Sequence, residues 1–286
     1  MSAWTCRGAR WAGGAPELLW ERGRVSGLTY GQEVAFRAAG ERRCPGARGN
    51  PCPVAAVVAA RSTGGLCPEC ARLDRMHSVA SDTVADDPRV YRVYLAWFGP
   101  GMVKVGITAE ERGDTRLLEQ GAVAFGWLGR GPLMAARRTE EVLGAALGVP
   151  DRIPYAAKRV ARVGLPDGPA RAGEVERLHR AAVAVPGWAD TLEPLPFQVR
   201  DHTGVFRLGA LDRVDGVVRE LVVGGCVRGT LTAAAGPDLH LVAPDGRRLV
   251  LDTRLVAGWP LDRAGSGDAV TVPVVAAAPG VQDGLF

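Results

Sequence analysis

The stretch Val93-Tyr-Leu-Ala-Trp-Phe-Gly-Pro-Gly-Met-Val-Lys-Val-Gly-Ile-Thr108, with Arg116-Leu-Leu-Glu-Gln-Gly-Ala122 close behind it, is the most informative part of this chain. It reads as two apolar strands joined by a Gly-Pro-Gly turn, followed by a helix carrying arginines. Thr108-Ala-Glu-Glu111 has the form of a capping box and predicts that the helix starts directly after the second strand. Gly106 would let another backbone or a phosphate approach that strand closely. Arg112 and Arg116 are four residues apart and share a helix face if the turn continues through Gly113. Strand turn and helix N-terminus together suggest an anion site. A strand-Gly-helix junction with arginines is also a common structural element, so the motif alone does not fix a function.

Further along, Pro132 suits the start of a helix over Leu133–Leu147. At 3.6 residues per turn, Leu133, Ala136, Glu140, Leu143 and Leu147 fall on one side, whereas Glu141 points away. A carboxylate within an apolar stripe needs an ion pair, a metal or a proton. Two readings of Glu140 follow: an ion pair with a neighbouring arginine, or a ligand to a single Mg²⁺.

Around this unit the chain divides by composition. Residues 1–40 alternate short apolar segments with Gly and suggest a β-rich lead-in. Residues 41–80 hold four of the six cysteines, and residues 81–88 look like a polar linker. The motif unit spans about 89–165, and a helical connector covers 166–195, with a helix over Gly173–Val185. From 196 to 275 five short strands are expected: Gly204–Gly209, Val217–Val223, Cys226–Ala233, Leu239–Val242 and Arg248–Leu251. Their spacing suggests a small antiparallel barrel, OB-like, or a sandwich. The fold class is α+β.

Cys44 and Cys52 are followed, after fourteen intervening residues, by Cys67-Pro-Glu-Cys70. Two cysteines ahead of a CxxC pair fit a tetrahedral four-cysteine Zn²⁺ site, with about 2.3 Å from metal to sulfur. The stretch is rich in Pro and Gly and has little apolar core of its own, so the ion would stabilise it. Four thiolate ligands leave no open position, which makes the role structural. In the alternative, Cys44 and Cys52 are ordinary buried thiols and only the CxxC turn is special. His77 is a substitute ligand or a surface histidine. Cys6 and Cys226 have no partner by spacing.

The bulk numbers exclude little. A length of 286 residues suits two or three compact units, and a net charge of +4 permits nucleic-acid binding without arguing for it. The longest apolar runs are too short to span a membrane, and no signal peptide is visible, so a cytoplasmic protein is expected. Arginine outnumbers lysine 33 to 2. The skew fits a GC-rich genome, and it draws attention to Lys104, inside the motif, and Lys158. Residues 128–180 carry ten basic side chains against six acids, among them Arg130, Arg137, Arg138, Arg152, Lys158, Arg159 and Arg162. They could track a nucleic-acid backbone or form a solvated helical face. Trp97, Phe98, Trp127 and Trp259 are candidates for base stacking or for the core.

Val93-Tyr-Leu-Ala, Lys104-Val-Gly-Ile-Thr, Thr115-Arg-Leu-Leu-Glu-Gln-Gly-Ala122 and Val149-Pro-Asp-Arg-Ile153, in that order, resemble the bacterial family of domain of unknown function 2797. The central region of that family is similar to the GIY-YIG nucleases. The resemblance implies that Tyr94 stands where the nucleases have the GIY tyrosine, a general base. Lys104-Val-Gly106 then stands for Tyr-Ile-Gly, Arg116 (or Arg112) for the helix arginine that steadies the phosphate, and Glu140 for the metal-binding glutamate. It implies Mg²⁺-dependent phosphodiester cleavage of DNA or RNA, or else a nucleic-acid-binding module on the same fold that has lost its chemistry. A protein-interaction scaffold is a third class. Three departures stand out. Lys104 replaces the second tyrosine, although its ammonium could lower the pKa of Tyr94. Gln120-Gly121-Ala122 occupies the place of a histidine or tyrosine, and the downstream asparagine is not evident.

Overall fold

The structure is a computed structural model, in which residues 3–76, 87–150 and 152–277 are described. The strands are β1 (Trp4–Ala12), β2 (Ala15–Trp20), β3 (Val25–Gly27) and β4 (Glu33–Ala38), then β5 (Tyr91–Gly99), β6 (Met102–Ala109) and β7 (Ala124–Gly131). After these come β8 (Glu193–Pro194), β9 (Val199–Asp201), β10 (Gly216–Val218), β11 (Cys226–Ala235), β12 (Asp238–Val242), β13 (Arg248–Asp252), β14 (Pro260–Arg263) and β15 (Val274–Ala276). The α-helices are α1 (Pro68–Arg75), α2 (Thr115–Gln120), α3 (Leu133–Leu147), α4 (Tyr155–Ala161), α5 (Gly168–Ala184) and α6 (Thr203–Phe206). Among the described residues no helix is long and apolar enough to cross a membrane. The fold is mixed α+β, divided into two compact units: one formed by the residues up to Asp74 together with those from Ala210, the other by Arg75–Gly209.

The first unit is a ten-stranded sheet in the order β15-β10-β13-β12-β11-β4-β14-β1-β2-β3. The lead-in and the tail, separate in the sequence reading, therefore share one sheet: β4 lies between β11 and β14. In β4 the alternation Val34, Phe36, Ala38 sets one face into the core, the period-2 signature of a half-buried strand. β12 and β13 are buried almost throughout, as strands flanked on both edges and covered on both faces must be. The expected small barrel does not close, because the strand order is an open path. Strands over Cys226–Ala233, Leu239–Val242 and Arg248–Leu251 are present in slightly longer form, whereas Val217–Val223 contracts to β10. Gly204–Gly209 is not a strand. Thr203–Phe206 form the helical turn α6, and the Asp201 carboxylate just before it accepts from the Thr203 amide at 2.8 Å.

In the second unit the sheet runs β6-β5-β7-β8, with β9 also paired to β7. β5 is central, antiparallel to both neighbours, and buried along nearly its whole length. Its apolar run is the mark of a strand covered on both faces. The helix expected over Leu133–Leu147 has those bounds in α3, and the connector helix starts earlier, at Gly168, where Asp167 caps the Ala170 amide at 2.8 Å.

Candidate functional site

Tyr94 lies on β5 opposite Gly106 of β6 and Trp127 of β7, 1% exposed within a cluster that includes Leu117, Phe125 and Trp127. A side chain at Gly106 would overlap the Tyr94 ring and hydroxyl, with Cε2 at 2.8 Å. The expected close approach at this glycine is therefore that of the tyrosine ring, not of a phosphate. Gly106→Ala should cost about 1–3 kcal/mol, the usual range for overpacking. Urea unfolding measures this directly, and an unchanged midpoint would show that the ring does not lie there.

The Tyr94 hydroxyl accepts a hydrogen bond from Gln120 Nε2 at 2.9 Å. Burial is the dominant influence on its pKa and raises it; Arg116, by charge and hydrogen bonding, and Gln120 act to lower it, and the charge of Glu140 adds to the rise. The net direction is upward, so the lowering expected from Lys104 is not what governs this phenol. Gln120 thus donates to the Tyr94 oxygen, while the charges of Arg116 and Glu140 bear on its ionisation in opposite directions. Gln120, which the sequence marks only as a departure from the nuclease pattern, is therefore the residue of the helical segment that contacts Tyr94.

The helix does not start at Thr108. That residue is buried within β6, Glu110–Arg112 form a 3₁₀ turn without a side-chain cap, and Gly113 (φ 50°) breaks the chain direction before α2. The capping box and the anion site built on it are absent for that reason. Arg112 and Arg116 still converge, but on Glu119, at 2.8 Å and 3.7 Å.

Glu140 is half-buried at the border of the α3 stripe, whose buried members are Leu133, Ala135, Ala136, Thr139 and Leu143. It faces a cleft of about 350 Å³ together with Lys104, Arg137 and Glu141. Glu141, which the helix period puts on the other side, thus lines the same cleft, which holds two carboxylates.

The basic stretch is only partly available to a ligand. Lys158 and Arg162 are 4% and 1% exposed. The Lys158 ammonium lies 3.7 Å from the Phe98 ring centroid and donates to Gln120 O at 3.0 Å. It thus places a cation at the C-terminal end of α2, where the helix dipole favours one. Trp97, Phe98, Trp127 and Trp259 are all core residues, between 0% and 6% exposed, and offer no stacking platform.

In the first unit, Cys44, Cys52, Cys67 and Cys70 are buried, with their Sγ atoms all within 4.8 Å of one another. Cys52 and Cys67 are 3.9 Å apart, too far for a disulfide and close to the roughly 3.8 Å edge of a tetrahedron with 2.3 Å metal–sulfur bonds. Cys44 Sγ accepts from the amides of Cys67 (3.2 Å) and Gly46 (3.4 Å). Gly46 (φ 85°) makes the tight turn, since a Cβ there would collide with Asn50 O and come within 2.6 Å of the Cys52 amide. Backbone amides, that of Ala56 foremost, lower the Cys52 thiol to about 7, while burial raises Cys44 and pushes Cys70 up to about 12. Four thiolates at this spacing need a cation, and the donor set fits a thiophilic divalent metal. Among the described residues this is the only group of three or more His, Cys, Asp or Glu ligand atoms so placed. His77 lies outside the described residues.

No curated protein and no solved structure matches the chain. The model of the family described as Protein of unknown function (DUF2797) matches residues 31–261, from just before β4 into β14, so the chain belongs to that family.

Proposed function

We propose that this protein cleaves phosphodiester bonds of DNA or RNA at the Tyr94–Arg116–Glu140 site, on a GIY-YIG-like framework of β5, β6, α2, β7 and α3. The observation that carries the reading is the Tyr94 hydroxyl, seated over Gly106 of β6 and held by Gln120 Nε2 of α2 at 2.9 Å, with Lys104 of the same β6 strand lining a cleft beside Glu140. The element order supports it: a hairpin, a short arginine helix, a third strand on the other edge of the first, and a helix bearing the glutamate.

In this scheme Arg116 releases Glu119 to neutralise charge on the phosphate. Lys104 and Arg137 hold the anionic backbone along the cleft. Tyr94 receives the proton of the attacking water in its ionised fraction. Glu140 would hold Mg²⁺, which when bound polarises a phosphoryl oxygen. Cys44, Cys52, Cys67 and Cys70 would hold Zn²⁺ in a structural role.

The burial of Tyr94, and the engagement of Arg112 and Arg116 by Glu119, favour a second reading: a catalytically inactive, zinc-containing nucleic-acid-binding protein of the same fold.

The test is cleavage of a mixed DNA and RNA panel with Mg²⁺ or Mn²⁺, wild type against Glu140→Ala. A loss of about 10²–10³-fold in the variant is expected, the scale of removing one transition-state stabiliser. The rate should climb with pH through the neutral range without levelling off below pH 10, because the Tyr94 pKa is raised above its ordinary value of 10. Salt-sensitive binding without cleavage would select the second reading. Neither binding nor cleavage would overturn both for those substrates.

A further inference from the structure

Two tryptophans outside the core set Trp97, Trp127 and Trp259 are placed differently. Trp4 of β1 and Trp20 of β2 line a cleft of about 450 Å³ in the ten-stranded sheet, floored by the buried Phe36 and Leu261. The register explains the grouping. Trp4 is paired with Leu261, Arg263 with Phe36, and Trp20 with Cys6, two residues along β1 from Trp4. These side chains therefore share one sheet face. As diagonal neighbours the two tryptophans are roughly 7–8 Å apart on the Cα scale, so each ring can serve a separate planar group.

The rings are held in place. Trp20 Nε1 donates to Ser26 Oγ at 2.9 Å, and the Arg24 guanidinium lies 4.2 Å from the centroid of a Trp4 ring. Arg24 and Arg263 rim the cleft, are exposed, and form no ion pair among the described residues. Asp262 also lines the cleft but forms no ion pair with either arginine among the described residues. Two fixed aromatic faces beside two unneutralised guanidinium groups match a ligand that carries planar rings and negative charge together.

We propose that this cleft binds single-stranded nucleic acid, bases stacking on Trp4 and Trp20 and phosphates meeting Arg24 and Arg263. The ligand class rests on the nucleic-acid reading above, but the site is separate from Tyr94 and Glu140 and needs no metal. Arg24 shifts from Trp4 to a phosphate as the base takes its place on the ring, or stays as the far layer of the stack.

The experiment is fluorescence anisotropy of a fluorescein-labelled oligothymidylate with the full chain in EDTA, at several salt concentrations. Trp20→Ala or Trp4→Ala should raise Kd about tenfold, the effect of losing one stacked base. Trp20→Phe, which keeps a ring, should recover most of that affinity and guards against a merely unfolded alanine variant. Arg24→Gln should lower the slope of log Kd against log salt by about 0.7, one phosphate contact on a single strand. Wild-type affinity in both tryptophan variants, at unchanged melting temperature, would overturn the proposal. So would failure of the wild type to bind the oligomer at low salt, or competition by thymidine monophosphate at equal concentration, which would make the ligand a free nucleotide. An edge-strand peptide along β3 that binds equally well in both tryptophan variants, with no oligomer bound, would also overturn it. Tryptophan-dependent binding without any cleavage would support the cleft and sink the catalytic reading. Cleavage dependent on Glu140, with oligomer binding indifferent to both tryptophans, would do the reverse.

Discussion

Protein carrying Cys70→Ser is expected to purify with well under one zinc per chain and to melt far below the wild type. The reason is local. Between Arg42 and Cys67 the chain makes turns and a single β-bridge, Arg43 to Val57, and its apolar contacts are the four cysteines with Ala47, Val58, Ala56 and Leu66. A cluster of that size supplies too little burial to order twenty-odd residues, whose backbone entropy alone costs about 1–2 kcal/mol each. Structural zinc contributes apparent energies of about 10–16 kcal/mol in small peptides, so losing one of four ligands should cost several kcal/mol here. Metal content by mass spectrometry and calorimetric melting check it together. Cys6→Ser, which alters a buried thiol outside the cluster, should keep its zinc. Wild-type protein free of metal, melting like Cys70→Ser, would return the four cysteines to the status of ordinary buried thiols.

Arg42→Met is expected to lower stability by roughly 3–5 kcal/mol, the scale of stranding a buried charged network. The Arg42 side chain is 2% exposed and donates to the carbonyls of Ala257 (2.8 Å), Ala59 (2.8 Å), Ser62 (2.7 Å), Arg254 (3.0 Å) and, more weakly, Ala60 (3.4 Å). Burial lowers its pKa, but a guanidinium remains charged at any physiological pH. Methionine keeps most of the volume and leaves those carbonyls unsatisfied. Lysine should fail to rescue, since three donors on one point cannot replace a planar fork that serves carbonyls on two segments. For a chain of this size the loss should appear as a drop of about 10 °C in Tm. A shift within 1–2 °C would mean that water substitutes freely for the guanidinium.

The elements legible in the sequence are those with a strong local cause. α3 follows from Pro132, a 3.6-residue apolar period and Gly148 in the left-handed conformation at its end. The cysteine cluster follows from CxxC spacing, and β11 to β13 from alternation between turns. What failed was decided by tertiary contact. Thr108 satisfies a capping pattern, yet it is taken by β6 and buried. Period-2 alternation in residues 1–40 says which face is apolar but not which strand is the neighbour, so the pairing of β4 with β11 was invisible. For the tryptophans, apolar context is ambiguous: Trp97 lies in a continuous apolar run and is core, while Trp4 and Trp20 are followed by polar residues. That difference was available as a signal. Lys158 stands out in the sequence for its rarity and as part of a basic stretch, and its burial against Phe98 could not be read from spacing.

The position of β4 has a consequence for biosynthesis. Arg37 is paired with Cys226 and Phe36 with Arg263, and the contiguous stretch Arg75–Gly209 forms a compact unit of its own. On a ribosome adding about 5–20 residues per second, β4 leaves the tunnel roughly ten seconds or more before either neighbour exists. The inserted unit can complete its hydrogen bonding in that interval. Two bare edges of β4 cannot, so the nascent N-terminal segment is the point at which a chaperone, or a second chain, has its longest opportunity to intervene.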